Sequence, residues 1–300
     1  MRWLREHRNE AEQRQWDIMN HNAAAALRMV ERVGSLPEHK RMVRLGSEML
    51  QGYTEPDWIE WWQQADVQRH LEQIFAPIGA RARELGVRLS FHPGQFCVLA
   101  SVNENIVERS IQEFEYHADM ARWMGYGKSF QDFKINVHIS GRQGPEGIRK
   151  VLGRLSPEAR NTITIENEEN SWGLDDCLTL GDVVPIVLDI HHNWIREGEY
   201  IDPNSDRVKR VLDSWRGVRP AMHYSVSRED LLVGHDPDVL PDMPALLAAG
   251  FKKQKLRAHS DFYWNRAVNA WAASFSPNFD IQCESKGKNL ARDQFVETFV

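Results

Sequence analysis

The chain has 300 residues, 42% of them hydrophobic and 27% charged, with a formal net charge of −6. This is the composition of an ordinary folded protein with one sizeable core, and no apolar run approaches the ~18 to 20 residues that a bilayer crossing needs. The three cysteines, Cys97, Cys177 and Cys283, are odd in number and far apart, which excludes a disulfide framework and a Cys-x-x-Cys zinc pair.

Residues 1–21 are rich in Glu, Arg and Gln and predict a polar N-terminal helical extension. Their charged start has no apolar segment behind it, so it does not read as a secretory signal, and the cytoplasm is the expected setting. Seven short β-branched or apolar runs follow, at 42–47, 87–92, 134–138, 162–167, 185–189, 221–225 and 279–284. Helical patterns lie between them. Leu71, Ile74, Phe75 and Ile78 form the apolar stripe of a long helix that ends before Gly86. Ser101-Val102-Asn103-Glu104 reads as a capping box opening a helix to about Trp123. Val208, Val211, Leu212 and Trp215 make another apolar face at i, i+3, i+4, i+7. Strands alternating with helices imply βαβ units and a parallel sheet. The expectation is a single TIM-type β/α barrel over 1–300, its first strand missing or replaced by the polar extension.

Six of the seven runs end in a histidine or a carboxylate: His92, His138, Glu166, Asp189, His223 and Glu284. In a parallel barrel the strand C-termini open on one face, so these six should converge. Imidazole and carboxylate are ligands for zinc, manganese or iron, and several acids in one pocket repel unless cations hold them. His192 follows Asp189 by three residues, and His259-Ser260-Asp261 adds a further pair. So many donors exceed one tetrahedral site. Two or three divalent ions fit better, and the donors alone leave their identity open. Two metals can clamp the attacking and leaving oxygens of a phosphodiester. The negative net charge argues mildly against nucleic acid, but cations at such a site would offset it locally.

Blander readings stand beside these. A lone strand-end histidine is more often hydrogen-bonded structure than a ligand; the repeated placement is what outweighs that. His7, His70 and His117 read as surface or packing residues, His235 as a loop residue and His191 as a neighbour that orients a ligand. Trp58, Trp61 and Trp62 suit helix packing better than base stacking. Lys252 to Arg257 reads as a basic loop, solvated or phosphate-facing. Cys97 reads as packing, and strand alternation turns Cys283 away from the site.

The segment Arg88-Leu89-Ser90-Phe91-His92-Pro93-Gly94-Gln95-Phe96 resembles the HPGQ motif of the ultraviolet-damage endonucleases, barrel relatives of endonuclease IV. Val137-His138, Ile165-Glu166-Asn167-Glu168, Leu188-Asp189-Ile190-His191-His192, His223-Tyr224-Ser225, His259-Ser260-Asp261 and Glu284-Ser285-Lys286-Gly287-Lys288 are similar to its other motifs, in order, and Arg44-Leu45-Gly46-Ser47 to its second strand. The resemblance covers roughly residues 22 to 292. It implies a metal-dependent monomer, with manganese first and zinc, iron or magnesium as alternatives, that nicks damaged double-stranded DNA on the 5′ side of photoproducts and some other lesions. It also implies three ligand sets: His92, His138 and Glu166; Glu166, Asp189, His223 and Glu284; and His192 and His259 with Asp261. Glu166, His192 and Lys286 would be catalytic, Gln95 and Phe96 would meet the lesion, and Lys286 and Lys288 the phosphates. The sequence departs from the family in the unseen first strand, in Phe96 for a frequent Tyr, in Glu55 where a histidine is expected, and in Ala221 for a lysine two residues before His223. These departures keep two alternatives open: a barrel isomerase or oxidase acting on a small molecule, and a lesion-binding protein with impaired catalysis.

Overall fold

The computed structural model describes residues 6–299; the first five residues of the predicted extension lie outside them. Chain contacts divide the molecule into two compact units, Met1–Val137 with Lys150–Ile163, and His138–Arg149 with Thr164–Val300.

In the first unit the polar start is the helix α1, Arg8–Gly34. It runs well beyond the predicted extension, because Ala11, Met19, Ala23, Ala26 and Val30 keep a buried stripe at helical spacing. Among the described residues no strand precedes β1, Met42–Arg44. Strand β2, Arg88–Phe91, lies parallel to β1 with Val43 opposite Leu89, and β3, Lys134–His138, lies parallel to β2 with Phe91 opposite Ile135. Helix α2, Ala65–Glu84, buries Val67, Leu71, Phe75 and Ile78 as the periodicity predicts. A side chain at Gly79 would come within 1.9 Å of the Met124 carbonyl oxygen, so only glycine lets α2 approach there. Helix α3, Glu104–Trp123, is capped by Asn103, whose side chain accepts from the Asn105 amide. The predicted capping box at Ser101 does not form. The Ser101 hydroxyl accepts instead from the Asn103 amide at 3.1 Å, a local turn that sets up the true cap. Trp58, Trp61 and Trp62 are buried to 3% exposure or less and stack edge-on, so they are packing residues.

In the second unit four strands lie parallel, each beside the next: β4, Ile163–Glu166; β5, Ile186–Asp189; β6, Ala221–Tyr224; and β7, Asp280–Cys283. Every residue of β4, β5 and β6 is buried, as expected of parallel strands covered on both faces. Helix α4, Ile190–Glu197, starts directly at the end of β5, with Asp189 as its cap. Helix α5, Asp206–Ser214, carries the predicted Val208 and Val211 face, with Trp215 buried just beyond it. The basic run is not a loop. Lys253–Leu256 forms a short helix, α6, because Leu256 is buried among Trp194, Ile195, Leu232 and Met243. Helix α7, Lys288–Phe299, ends the chain. All seven predicted strands are present, parallel to their neighbours within each unit, and the fold class is the β/α barrel.

Candidate metal centre

The site of the second unit grows from the ends of its strands. Glu166 and Asp189 are the last residues of β4 and β5, His223 lies next to the end of β6, and Glu284 follows β7. One ligand atom from each of these four lies within 4.8 Å of those of the other three. A second group of the same closeness joins His138, at the end of β3, with Glu166 and His192. Glu166 is common to both and fully buried. Its Oε1 is 3.0 Å from His223 Nδ1 and 3.6 Å from His192 Nδ1, and His223 Nδ1 is 3.4 Å from Glu284 Oε1.

Backbone and side chain lock these positions together. The Asn167 amide donates to the Asp189 carbonyl at 3.0 Å, and its oxygen accepts from the Asp189 N–H at 2.9 Å. Asp189 Oδ1 accepts from the His192 amide at 2.7 Å, the cap that turns the chain from strand into α4. This turn is why Asp189 and His192, three apart, reach one site. His192 Nδ1 donates to the Asn167 carbonyl at 3.0 Å, which orients the ring.

The electrostatics call for positive charge. Glu166 and Asp189 are fully buried and Glu284 nearly so. Burial drives the Asp189 carboxyl well above the usual carboxylate range; His192 pulls it back, while Glu166 and Glu284 push it further up. Burial alone would lower the His192 pKa, but Asp189, Glu166 and Glu169 outweigh it and hold the ring at about 9. Asp189 Oδ2 is buried and makes no hydrogen bond. Uncompensated buried carboxylates cost several kcal/mol each, so this donor set fits divalent cations better than empty space.

His92 stands just past β2 in the first unit, half-buried, with Nδ1 2.9 Å from the Pro93 carbonyl. Gln95 and Phe96 project from the turn after it, Phe96 at 85% exposure. Glu55 is half-buried in the loop after β1, its amide donating to the Gly52 carbonyl at 3.1 Å. Lys286 and Lys288 are exposed; Lys286 Nζ is 3.8 Å from Asp261, and Lys288 has a left-handed backbone with φ of 52°. The structure does not bring His259 or Asp261 into either ligand group. His259 Nδ1 lies 2.9 Å from the Glu284 carbonyl, and Asp261 is exposed. The His191 ring stacks on Trp194 and meets His259 edge-on at 5.9 Å, and burial holds its pKa far below the ordinary value. Asn167 and Glu169 are the residues sequence reasoning passed over. The run Glu166-Asn167-Glu168-Glu169 reads as several acids at a strand end, and nothing in it marks which turn inward. Cys97 is buried, as its packing role predicts, and the described cysteines are all free.

Comparison with known proteins gives this geometry a lineage. The profile of the UV-endonuclease UvdE family matches residues 2–298. The chain belongs to that family. A UV DNA damage endonuclease of Bacillus thuringiensis subsp. konkukian is 23% identical over 302 residues, 97% of this chain and 84% of that relative. A UV-damage endonuclease of Neurospora crassa is 28% identical over 71% of this chain, but the match spans only 36% of that relative. For a mimivirus relative, 32% identical over 59% of this chain, the match spans 56% of that protein. Among solved structures, SacUVDE shares the fold with a TM-score of 0.71 and 23% identity, covering 96% of this chain and 88% of that one. Endonuclease IV from Thermus thermophilus follows at 0.51 and 13%, covering 76% and 79%. The UvdE fold is a TIM-type barrel, as the strand order predicts. Among the described residues no helix is long and apolar enough to cross a membrane.

Proposed function

We propose that this UvdE-family chain is a metal-dependent DNA repair endonuclease, one catalytic domain acting as a monomer, that cuts the phosphodiester 5′ to ultraviolet photoproducts or other helix-distorting lesions. The observation that carries the reading is Glu166, a fully buried carboxylate shared by two groups of histidine and carboxylate donors. A shared carboxylate between two donor sets is the arrangement a two-cation phosphodiesterase needs. When bound, a pair of divalent ions supplies Lewis-acid stabilisation at the attacking and leaving oxygens and lowers the pKa of water. Glu166, Asp189, His223 and Glu284 form one ligand set. His138, Glu166 and His192 form the core of another, to which the resemblance adds His92. His259 and Asp261, on the family pattern, belong with His192. Manganese is the proposed ion.

Around the ions the chain's own groups hold and orient the substrate. Lys286 and Lys288 are exposed and free to turn toward phosphates. Gln95 and Phe96 are presented to solvent, where a stacked base pair that has lost its geometry can be probed and a strained step wedged. Three free cysteines fit a reducing compartment, the cytoplasm.

The test is a nicking assay on irradiated, abasic and intact plasmid with Mn²⁺, alongside elemental analysis of the same preparation. Nicking of the irradiated plasmid is expected, with the intact plasmid spared. A metal-loaded protein that leaves every plasmid closed overturns the reading. Tight gel-shift binding to damaged duplex without cleavage would instead make the chain a lesion-binding protein.

A further inference from the structure

We propose that Glu169, which lies beyond the strand ends, is a cation ligand paired with Nε2 of His192 and held in position by Arg257. The inference rests on the metal-dependent reading above and adds a carboxylate to it.

The two oxygens of Glu169 are differently engaged. Oε1 accepts from Arg257 Nη1 at 2.7 Å and from Asn170 Nδ2 at 2.8 Å. Oε2 is turned toward the imidazole of His192 and lies 3.7 Å from Nε2. The two side chains are each only 10% exposed. The His192 ring is fixed from its other side, because Nδ1 donates to the Asn167 carbonyl at 3.0 Å. That leaves Nε2 as the ring nitrogen that faces Glu169. The separation of 3.7 Å is too long for a hydrogen bond. It suits two donors on one ion, since ligand atoms each ~2.1 Å from a cation stand about 3 to 4 Å apart.

A surface ion pair with Arg257 is the plainer account of Glu169. It would leave the second oxygen in water, yet the side chain is nearly buried and that oxygen points at the ring. The local chain supports an inward placement. The Glu168 amide donates to the Trp172 carbonyl at 2.9 Å and closes the turn, and the Ser171 hydroxyl ties it to the Ile139 carbonyl at 3.3 Å. Arg257 is then an orienting group: it occupies Oε1 and leaves Oε2 for the ion. The basic run thereby gains a role that composition does not suggest. Its last residue braces a ligand, and Lys253 Nζ donates to the Arg196 carbonyl at 2.6 Å at the end of α4.

The experiment measures Mn²⁺ affinity and stoichiometry of the full chain by calorimetry, independently of nicking. Four proteins are compared: wild type, Glu169→Gln, Arg257→Gln and, as a control on an exposed acid far along the chain, Asp238→Asn. Glu169→Gln should lose one equivalent of Mn²⁺ or bind it roughly 10- to 100-fold more weakly, Arg257→Gln should weaken the same step by a smaller factor, and Asp238→Asn should match wild type. Should Glu169→Gln fail to fold by circular dichroism, Glu169→Asp replaces it; a side chain shorter by one methylene should weaken the same step. Wild-type binding unchanged in a folded Glu169 variant overturns the assignment of Glu169 alone. A wild type that binds no divalent metal overturns the reading on which it rests.

Discussion

The two units solve the problem of burial in opposite ways. The first packs aromatic rings: Trp58, Trp61, Trp62, Phe75 and Trp123 are all at most 3% exposed. Its buried His117 is kept neutral, held at about 4 by burial, with His92 lowering it further and a hydrogen bond to the Glu113 carbonyl only partly compensating. The second buries ionisable groups at its strand ends, where Glu166, Asp189 and His223 have no exposed surface at all. An apolar core is complete in itself. A cluster of carboxylates is complete only when cations join it. The second unit's stability should therefore depend on metal, and the first unit's should not.

The largest effect expected from that contrast is at Glu166. Glu166→Gln removes the charge shared by both ligand groups, so nicking should fall below detection and bound metal should drop, while the far-ultraviolet dichroism stays that of wild type. Full metal content in this variant would break the contrast. Next is Trp62→Ala, which opens a cavity in the first unit and should cost about 3 to 5 kcal/mol in urea unfolding with metal content unchanged.

Protonation of His117 should come third. Its folded pKa, about 4, is below the ordinary histidine value of 6.5, so the unfolded chain binds the proton more readily. Stability is fully present above 6.5 and declines as pH falls toward 4, by about 3 kcal/mol in all. In His117→Gln, stability measured between those limits should fall less steeply than in wild type; equal slopes would remove His117 from the account. The smallest effect is that of chelation. At metal one hundred times above its dissociation constant, binding contributes about 2.7 kcal/mol, so a chelator should lower the melting temperature by a few degrees. Hydrogen exchange should locate the loss, speeding up amides of β5, β6 and α4 and leaving α2 and α3 as they were. Uniform acceleration would show that the two units do not differ in this way.

What the sequence discloses follows the same divide. The strands and the donor residues at their ends were legible because a buried parallel strand is an apolar run, and a run that stops at His, Glu or Asp announces its end. His138, Glu166, Asp189, His223 and Glu284 were found by that sign, and His192 by its place three residues after Asp189. Asn167 and Glu169 were not, because their roles depend on which way a turn faces, and an acid in an acidic run carries no mark of inward direction. Asn103 was hidden by Ser101, since each can cap a helix and only the local turn chooses between them. The helix at Lys253–Leu256 was hidden by its charges; one buried leucine decides its conformation, and one residue makes no periodicity.

The short first strand has a consequence for how copies of this chain meet. Among the described residues β1 pairs only with β2, and it is three residues long, preceded by Arg41 and ending in Arg44. A long, flat, apolar edge would invite a second chain to add a strand. A three-residue edge that ends in an arginine gives such a chain little backbone to pair with. An edge this short is a poor template for strand-by-strand aggregation.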